Sequence, residues 1–101
     1  MVFIKIGPVK SVPSGTMTGV NAEGKEVLVA HVNGKFYAIG NKCTHMGCKV
    51  SGGKIHGENV ICPCHGSTFD LKTGSVVRGP AKNPEPSFPV KIENDDIWVD
   101  V

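Results

Sequence analysis

The chain has 101 residues, a length that holds one ordinary domain and leaves no room for a second. Eleven basic against nine acidic side chains give a formal charge of +2, which supplies neither the basic footprint of a nucleic-acid binder nor an acidic tail. Hydrophobic residues make up 40%, enough for a modest core, while 13 Gly and 7 Pro favour short strands and turns over long helices.

No apolar run approaches the roughly 18–20 residues needed to cross a bilayer. The start, Met-Val-Phe-Ile-Lys-Ile-Gly, lacks the basic opening, long apolar stretch and small-residue cleavage site of a secretory leader. The reading is a soluble, cytoplasmic protein with no membrane insertion and no internal repeats, a monomer by default.

No window carries an apolar i, i+3, i+4, i+7 stripe free of Gly and Pro, so at most one helical turn is expected, over residues 11–15. Residues 2–6 are β-branched and aromatic, and Gly7-Pro8 stops them. Residues 16–20 can pair with 25–31 across the four-residue connection Asn21-Ala22-Glu23-Gly24. The strongest local signal follows: residues 27–32, then Asn33-Gly34, then 35–39. Both Asn and Gly accept the positive φ of a type I′ turn.

After Gly40 the composition shifts to Cys, His and Gly, with short strands expected at 59–62, 68–70 and 75–77. The Pro-rich stretch 79–89 cannot be a central strand. Residues 90–92 and 97–99 close the chain as a hairpin across Asn94-Asp95-Asp96. The expected fold is all-β, a small antiparallel barrel or sandwich forming one domain over 1–101, with 41–78 as an inserted metal-carrying excursion. Phe88 and Trp98 are assigned to the core, and His31 and His56 to ordinary structural or surface roles.

Four Cys and four His in so short a chain are the informative excess. Cys43-Thr44-His45-Met46-Gly47-Cys48 and Cys62-Pro63-Cys64-His65-Gly66-Ser67 each hold a closely spaced Cys and His plus one further Cys. Thiolates and imidazoles at this density suit zinc, copper or an iron–sulfur centre. In extended chain Cys43 and His45 stand about 6.6 Å apart, so one tetrahedral metal would demand a tight curl, and zinc sites favour wider spacing. A two-metal centre relaxes the demand. The thiolates of both loops can take one iron and the imidazoles its neighbour, the unequal ligation of a Rieske [2Fe–2S] cluster.

The two boxes resemble the cluster-binding boxes of Rieske iron–sulfur proteins, and Gly79-Pro80-Ala81 resembles that family's proline-bearing loop. Residues 69–74, 88–91 and 97–101 are similar to soluble Rieske-type ferredoxins. The resemblance covers roughly residue 33 to the C-terminus and is specific in the two boxes. It implies a [2Fe–2S] cluster, with Cys43 and Cys62 on the buried iron and His45 and His65 on the outer, solvent-facing iron. It also implies a disulfide between Cys48 and Cys64. Such a bridge, enclosing about 17 residues, would add on the order of 3 kcal/mol. A disulfide sits awkwardly in mesophile cytosol and suits that of a hyperthermophile. It is a respiratory-type box on a ferredoxin-type body.

Met46, Gly47, Gly66, Ser67, Phe69 and Pro80 are placed around the cluster by the same resemblance. Ser67 matches a serine whose hydroxyl donates toward a cluster sulfide. Phe69 stands where high-potential respiratory proteins carry a Tyr. Two neutral imidazoles in place of two thiolates leave the oxidised site uncharged and easier to reduce, with potentials of about −150 to +300 mV against about −400 mV for all-Cys plant-type clusters. With one hydroxyl missing at Phe69, the potential should fall below that of the respiratory proteins. A metal-bound imidazole is also acidified, which would couple reduction to proton uptake.

The function implied is a one-electron carrier between protein partners, such as a flavin reductase and a terminal oxygenase or respiratory component. The chain is too short for an added mononuclear-iron domain, so it is read as a carrier and not an enzyme. The rivals are a soluble portion of a quinol-oxidising complex, a structural zinc module, and a thiol–disulfide oxidoreductase built on Cys62-Pro63-Cys64. The last lacks a Cys-x-x-Cys motif.

Overall fold

The computed structural model describes residues 2–43, 47–64 and 66–101. The described chain forms eleven strands and two single turns of 3-10 helix, at Val9–Ser11 and Val50–Gly52. The all-β expectation holds. The helical turn expected over residues 11–15 instead sits at Val9–Ser11, directly after the strand, where the Ser11 hydroxyl donates to the Pro8 carbonyl.

Three antiparallel sheets organise the strands. β2 (Thr16–Ala22), β3 (Lys25–Val32), β4 (Lys35–Gly40) and β9 (Ser87–Phe88) form one sheet in the order β2-β3-β4-β9. β1 (Phe3–Pro8), β11 (Asp96–Asp100) and β10 (Val90–Glu93) form a second, with β11 central. β5 (Lys54–His56), β6 (Asn59–Ile61), β7 (Thr68–Asp70) and β8 (Val76–Arg78) form the third, built from the Cys- and His-rich part of the sequence.

The hairpins follow turn chemistry closely. Val32 pairs with Lys35 across Asn33 and Gly34, at φ 54° and 76°, as a type I′ turn requires. The β2–β3 connection is tighter than expected. Ala22 pairs with Lys25, so only Glu23 and Gly24 turn the chain, and the Asn21 side chain accepts the Gly24 N–H at 2.8 Å. The last hairpin likewise turns on Asn94 and Asp95 alone, because Asp96 already pairs with Glu93. β5 and β9 have no counterpart among the expected strands. β9 is two residues at the sheet edge between prolines, consistent with exclusion of 79–89 from a central strand.

Two apolar cores result. Val12, Ala22, Val27, Val29, Ala38, Ile97 and Val99 fill one, between the β2-β3-β4-β9 sheet and the terminal hairpin. The other takes the opposite face of β3 through Leu28, Ala30 and Val32, and joins it to Val60, Phe69, Leu71, Cys43 and Cys62. Residues 27–30 of β3 are all fully buried because its two faces serve different cores.

Phe88 is half-buried at the edge of the first core. Trp98 departs from its assignment. On β11 the buried residues are Ile97 and Val99, so alternation turns Trp98 to the opposite face, half-buried, where the Lys91 ammonium lies 5.8 Å from its ring. His31 accords with a structural role: its Nδ1 lies 2.9 Å from the Val12 carbonyl oxygen, and its ring stacks on Phe36. His56 is exposed beside the Gly57 turn. No helix among the described residues is long and apolar enough to cross a membrane.

Candidate metal centre

The two Cys- and His-bearing loops follow β4 and β6 and fold with one hydrogen-bond pattern. In the first, the Cys43 N–H donates to the Cys48 carbonyl at 2.7 Å and the Gly47 N–H to the Cys43 carbonyl at 2.8 Å. In the second, the Cys62 N–H donates to the Ser67 carbonyl at 2.7 Å and the Gly66 N–H to the Cys62 carbonyl at 3.2 Å. Gly47 and Gly66 close these turns at φ 73° and 78°, a region open to glycine at no steric cost. A local structural repeat therefore exists where the sequence reads as unrepeated. Its visible trace is the Cys-x-x-x-Gly common to both boxes.

Cys43 and Cys62 head the two loops with exposures of 3% and 2%, and neither takes part in a disulfide. Both belong to the core that holds Phe69 and Leu71. Cys48 and Cys64 form a disulfide with Cα atoms 6.5 Å apart, stapling one loop to the other. His45, Met46 and His65 lie outside the described residues. With two of the four expected ligands there, the described residues hold no group of three or more His, Cys, Asp and Glu side chains placed for a metal.

Ser67 is 1% exposed, and its Oγ accepts the Ala81 N–H at 3.0 Å. This contact brings the proline-bearing loop, with a cis Gly79-Pro80 peptide, against the second box. A hydroxyl that accepts through its lone pair still has its proton to give elsewhere. Phe69 is fully buried opposite Val60 and Val76.

Two supporting features have no metal-ligating signature and were not singled out from sequence. Asn41, 3% exposed, accepts the Ser51 N–H through its Oδ1 at 2.7 Å, while its carbonyl accepts the Val50 N–H at 2.8 Å. It thereby closes the base of the first loop. Below the second, the Tyr37 hydroxyl on β4 donates to Glu58 at 3.1 Å, and Lys72 pairs with the other Glu58 oxygen at 3.0 Å. The hydrogen bond from Lys72, reinforced by that from Tyr37, holds the Glu58 carboxyl below its usual range. The same contact with Glu58 raises the Lys72 ammonium. Desolvation and then Glu58 raise the Tyr37 phenol.

Buried thiol sulfurs at the head of two matching, stapled loops fit a sulfur-rich centre held between those loops. The single residue between Cys43 and His45 is closer than the about two to four that separate paired ligands in ordinary zinc sites.

The comparisons with known proteins agree. Residues 2–89 match the model of the Rieske [2Fe-2S] domain. The ferredoxin component of the naphthalene 1,2-dioxygenase system of Pseudomonas aeruginosa is 37% identical over 90 residues, covering 89% of this chain and 86% of that one. The ferredoxin component of the naphthalene 1,2-dioxygenase/salicylate 5-hydroxylase systems of Ralstonia sp. is 39% identical over 83 residues, covering 82% and 80%. Among solved structures, the Sphingomonas yanoikuyae B1 ferredoxin superposes with a TM-score of 0.92 at 30% identity, covering 99% of both chains. The ferredoxin of carbazole 1,9a-dioxygenase from Nocardioides aromaticivorans IC177 gives 0.93 at 27%, covering 98% and 97%. With its buried cysteines, paired loops and stapling disulfide, the chain belongs to the Rieske [2Fe–2S] family, and its cofactor is a [2Fe–2S] cluster.

Proposed function

We propose that this chain is a soluble, cytoplasmic one-electron carrier, working as one domain over 1–101 with 41–78 as its cluster-binding part. It takes an electron from a flavin reductase and passes it to a terminal oxygenase, with no substrate turnover of its own. The observation that carries the reading is the pair of equivalent loops headed by buried Cys43 and Cys62 and joined by Cys48 and Cys64. The ferredoxin components of dioxygenase systems among its relatives support the choice of partner. So does a ferredoxin solved in complex with the oxygenase of carbazole 1,9a-dioxygenase, at 29% identity and a TM-score of 0.91.

In this reading Cys43 and Cys62 hold the inner iron, and His45 and His65 the outer one. The bound cluster supplies a reversible one-electron couple at a potential above that of all-Cys clusters. The protein's own contributions are separable. Burial of Cys43 and Cys62 keeps water from the sulfur side, and a low-polarity surround of Val60, Phe69 and Leu71 holds both loops rigid. Ser67 donates its hydroxyl proton toward the cluster in this reading, while its lone pair, which accepts the Ala81 N–H, fixes the loop of Pro80.

The test is reconstitution. A purified Rieske oxygenase and its flavin reductase, supplied with NADH and this chain, should consume oxygen in proportion to the chain added. Cys43→Ser or His65→Ala should abolish the effect. Oxygen uptake unchanged by the chain would contradict the carrier reading.

A further inference from the structure

Ionised side chains in the two segments that flank the loops in sequence are of one sign. Between residues 41 and 57 they are Lys42, Lys49 and Lys54, and between 75 and 84 they are Arg78 and Lys82. All five are exposed. Lys42 and Lys49 face each other across the base of the first loop, and the Lys42 side chain lies against Gly47. Lys54 lies beside Cys62, Pro63 and Gly66 on the flank of the second. Arg78 pairs with Thr68, one residue beyond Ser67, and Lys82 follows Ala81, which is bonded to Ser67.

Apart from Glu26, which stands beside Lys42 and Lys49, the acids are elsewhere. Glu58 and Asp70 lie at the far end of the β6–β7 ladder from the loops, and Glu58 is already paired with Lys72. Glu93, Asp95, Asp96 and Asp100 are in the terminal hairpin, which packs on the other core. Glu85 is buried. Lys49 leans toward Glu26 at 3.7 Å with both side chains well exposed, a weak tie. Lys42, Lys54, Arg78 and Lys82 form no ion pair among the described residues. Pro63 stands beside Lys54, Val77 precedes Arg78 and Pro80 lies two residues before Lys82, and all three are exposed, Val77 at 54%. Exposed apolar residues set among charged ones are the material of a protein-docking face.

We propose that this face docks an acidic patch on the electron-transfer partner, with Lys42, Lys54, Arg78 and Lys82 steering the encounter and Pro63, Val77 and Pro80 making the close contact. The proposal rests on the carrier reading and names the chemistry of its partner. Segregation of charge on so small a molecule gives an oriented field although the net charge is only +2, and such a field acts on association rates.

The experiment uses the cluster-loaded protein, reduced, and follows its oxidation by stopped flow. Hexacyanoferrate(III) serves as an anionic oxidant and tris(phenanthroline)cobalt(III) as a cationic one, from about 10 to about 500 mM ionic strength. The anion should react faster at low salt and slow about tenfold as salt rises, while the cation should speed up. The Lys42→Glu, Lys54→Glu double variant should erase the difference, and Lys10→Glu, exposed on the turn after β1, should leave it intact. Polyglutamate should slow oxidation by the anion. Equal rates for both oxidants, or a faster cation, overturns the proposal, as does tighter retention on duplex DNA or phosphatidylglycerol vesicles than on polyglutamate. Loss of the cluster's EPR signal counts against the carrier reading and the docking face together. An intact signal with no charge preference counts against the docking face alone.

Discussion

The Ser67 hydroxyl oxygen accepts the Ala81 amide proton at 3.0 Å, with Ser67 1% and Ala81 4% exposed. One buried contact thus ties the second cysteine loop to the proline-bearing segment that covers it. The position is sensitive twice over if, as proposed, the same hydroxyl gives its remaining proton toward the cluster.

Ser67→Ala should therefore change two measurements at once. The buried Ala81 N–H loses its partner, which costs about 1–3 kcal/mol and should appear as a lower urea midpoint even in the cluster-free chain. The midpoint potential of the loaded protein should fall, because one donor to the cluster is gone. A stability loss with an unmoved potential would leave Ser67 as a structural clip only.

Phe69→Tyr should act in the opposite sense. Phe69 is fully buried in the core shared with Cys43 and Cys62. A hydroxyl added there enters a site with little water and gains most by donating toward the centre, so the potential should rise in a redox titration. An unchanged or lower potential would remove this explanation of the residue.

Cys48→Ser should keep the cluster and weaken its housing. Cys48 is not among the proposed ligands, but its bridge to Cys64 joins the loops across a sequence separation of 16. Its loss should cost on the order of 3 kcal/mol and lower the thermal midpoint, with the optical spectrum retained. Disappearance of the spectrum in this variant would place Cys48 or Cys64 among the ligands.

The contact of Tyr37, Glu58 and Lys72 predicts a pH window. The Glu58 carboxyl titrates below its usual range in the folded chain, so its contribution is present above the unfolded carboxyl range and is lost as pH falls through the folded value. The raised Lys72 ammonium sets the upper limit, its contribution being lost as pH rises through its folded value. Glu58→Gln should thus be less stable than the parent at neutral pH and converge with it in acid. The effect should be small, since the groups are well exposed. Denaturation midpoints taken from about pH 3 to about pH 8 will show whether the two curves meet.

Much of this was legible in the residues. Asn33-Gly34 between two apolar runs specified its hairpin because turn chemistry there is local. The boxes around Cys43 and Cys62 carried the family because metal ligands admit few substitutes. What stayed hidden depends on contacts distant in sequence. β5 is only Lys54, Ile55 and His56, too short for a pattern of its own, and exists because β6 pairs with it. Trp98 read as core by composition, yet its neighbours Ile97 and Val99 took the buried face. Asn41 looked like any loop asparagine, and only the folded first loop reveals the Ser51 amide it satisfies. The shared hydrogen bonding of the two loops left just Cys and Gly as its record, because backbone groups make it.

The central claim is that two thiolates and two imidazoles hold one iron–sulfur pair unequally, and nitrogen hyperfine spectroscopy on the dithionite-reduced protein reads it most directly. The account predicts a red-brown protein whose reduced EPR signal has a lower average g than an all-cysteine [2Fe–2S] cluster and is coupled to two imidazole nitrogens, with that native signal abolished in His65→Ala. A signal without nitrogen coupling, or a colourless chain that stays iron-free after anaerobic reconstitution, would contradict it.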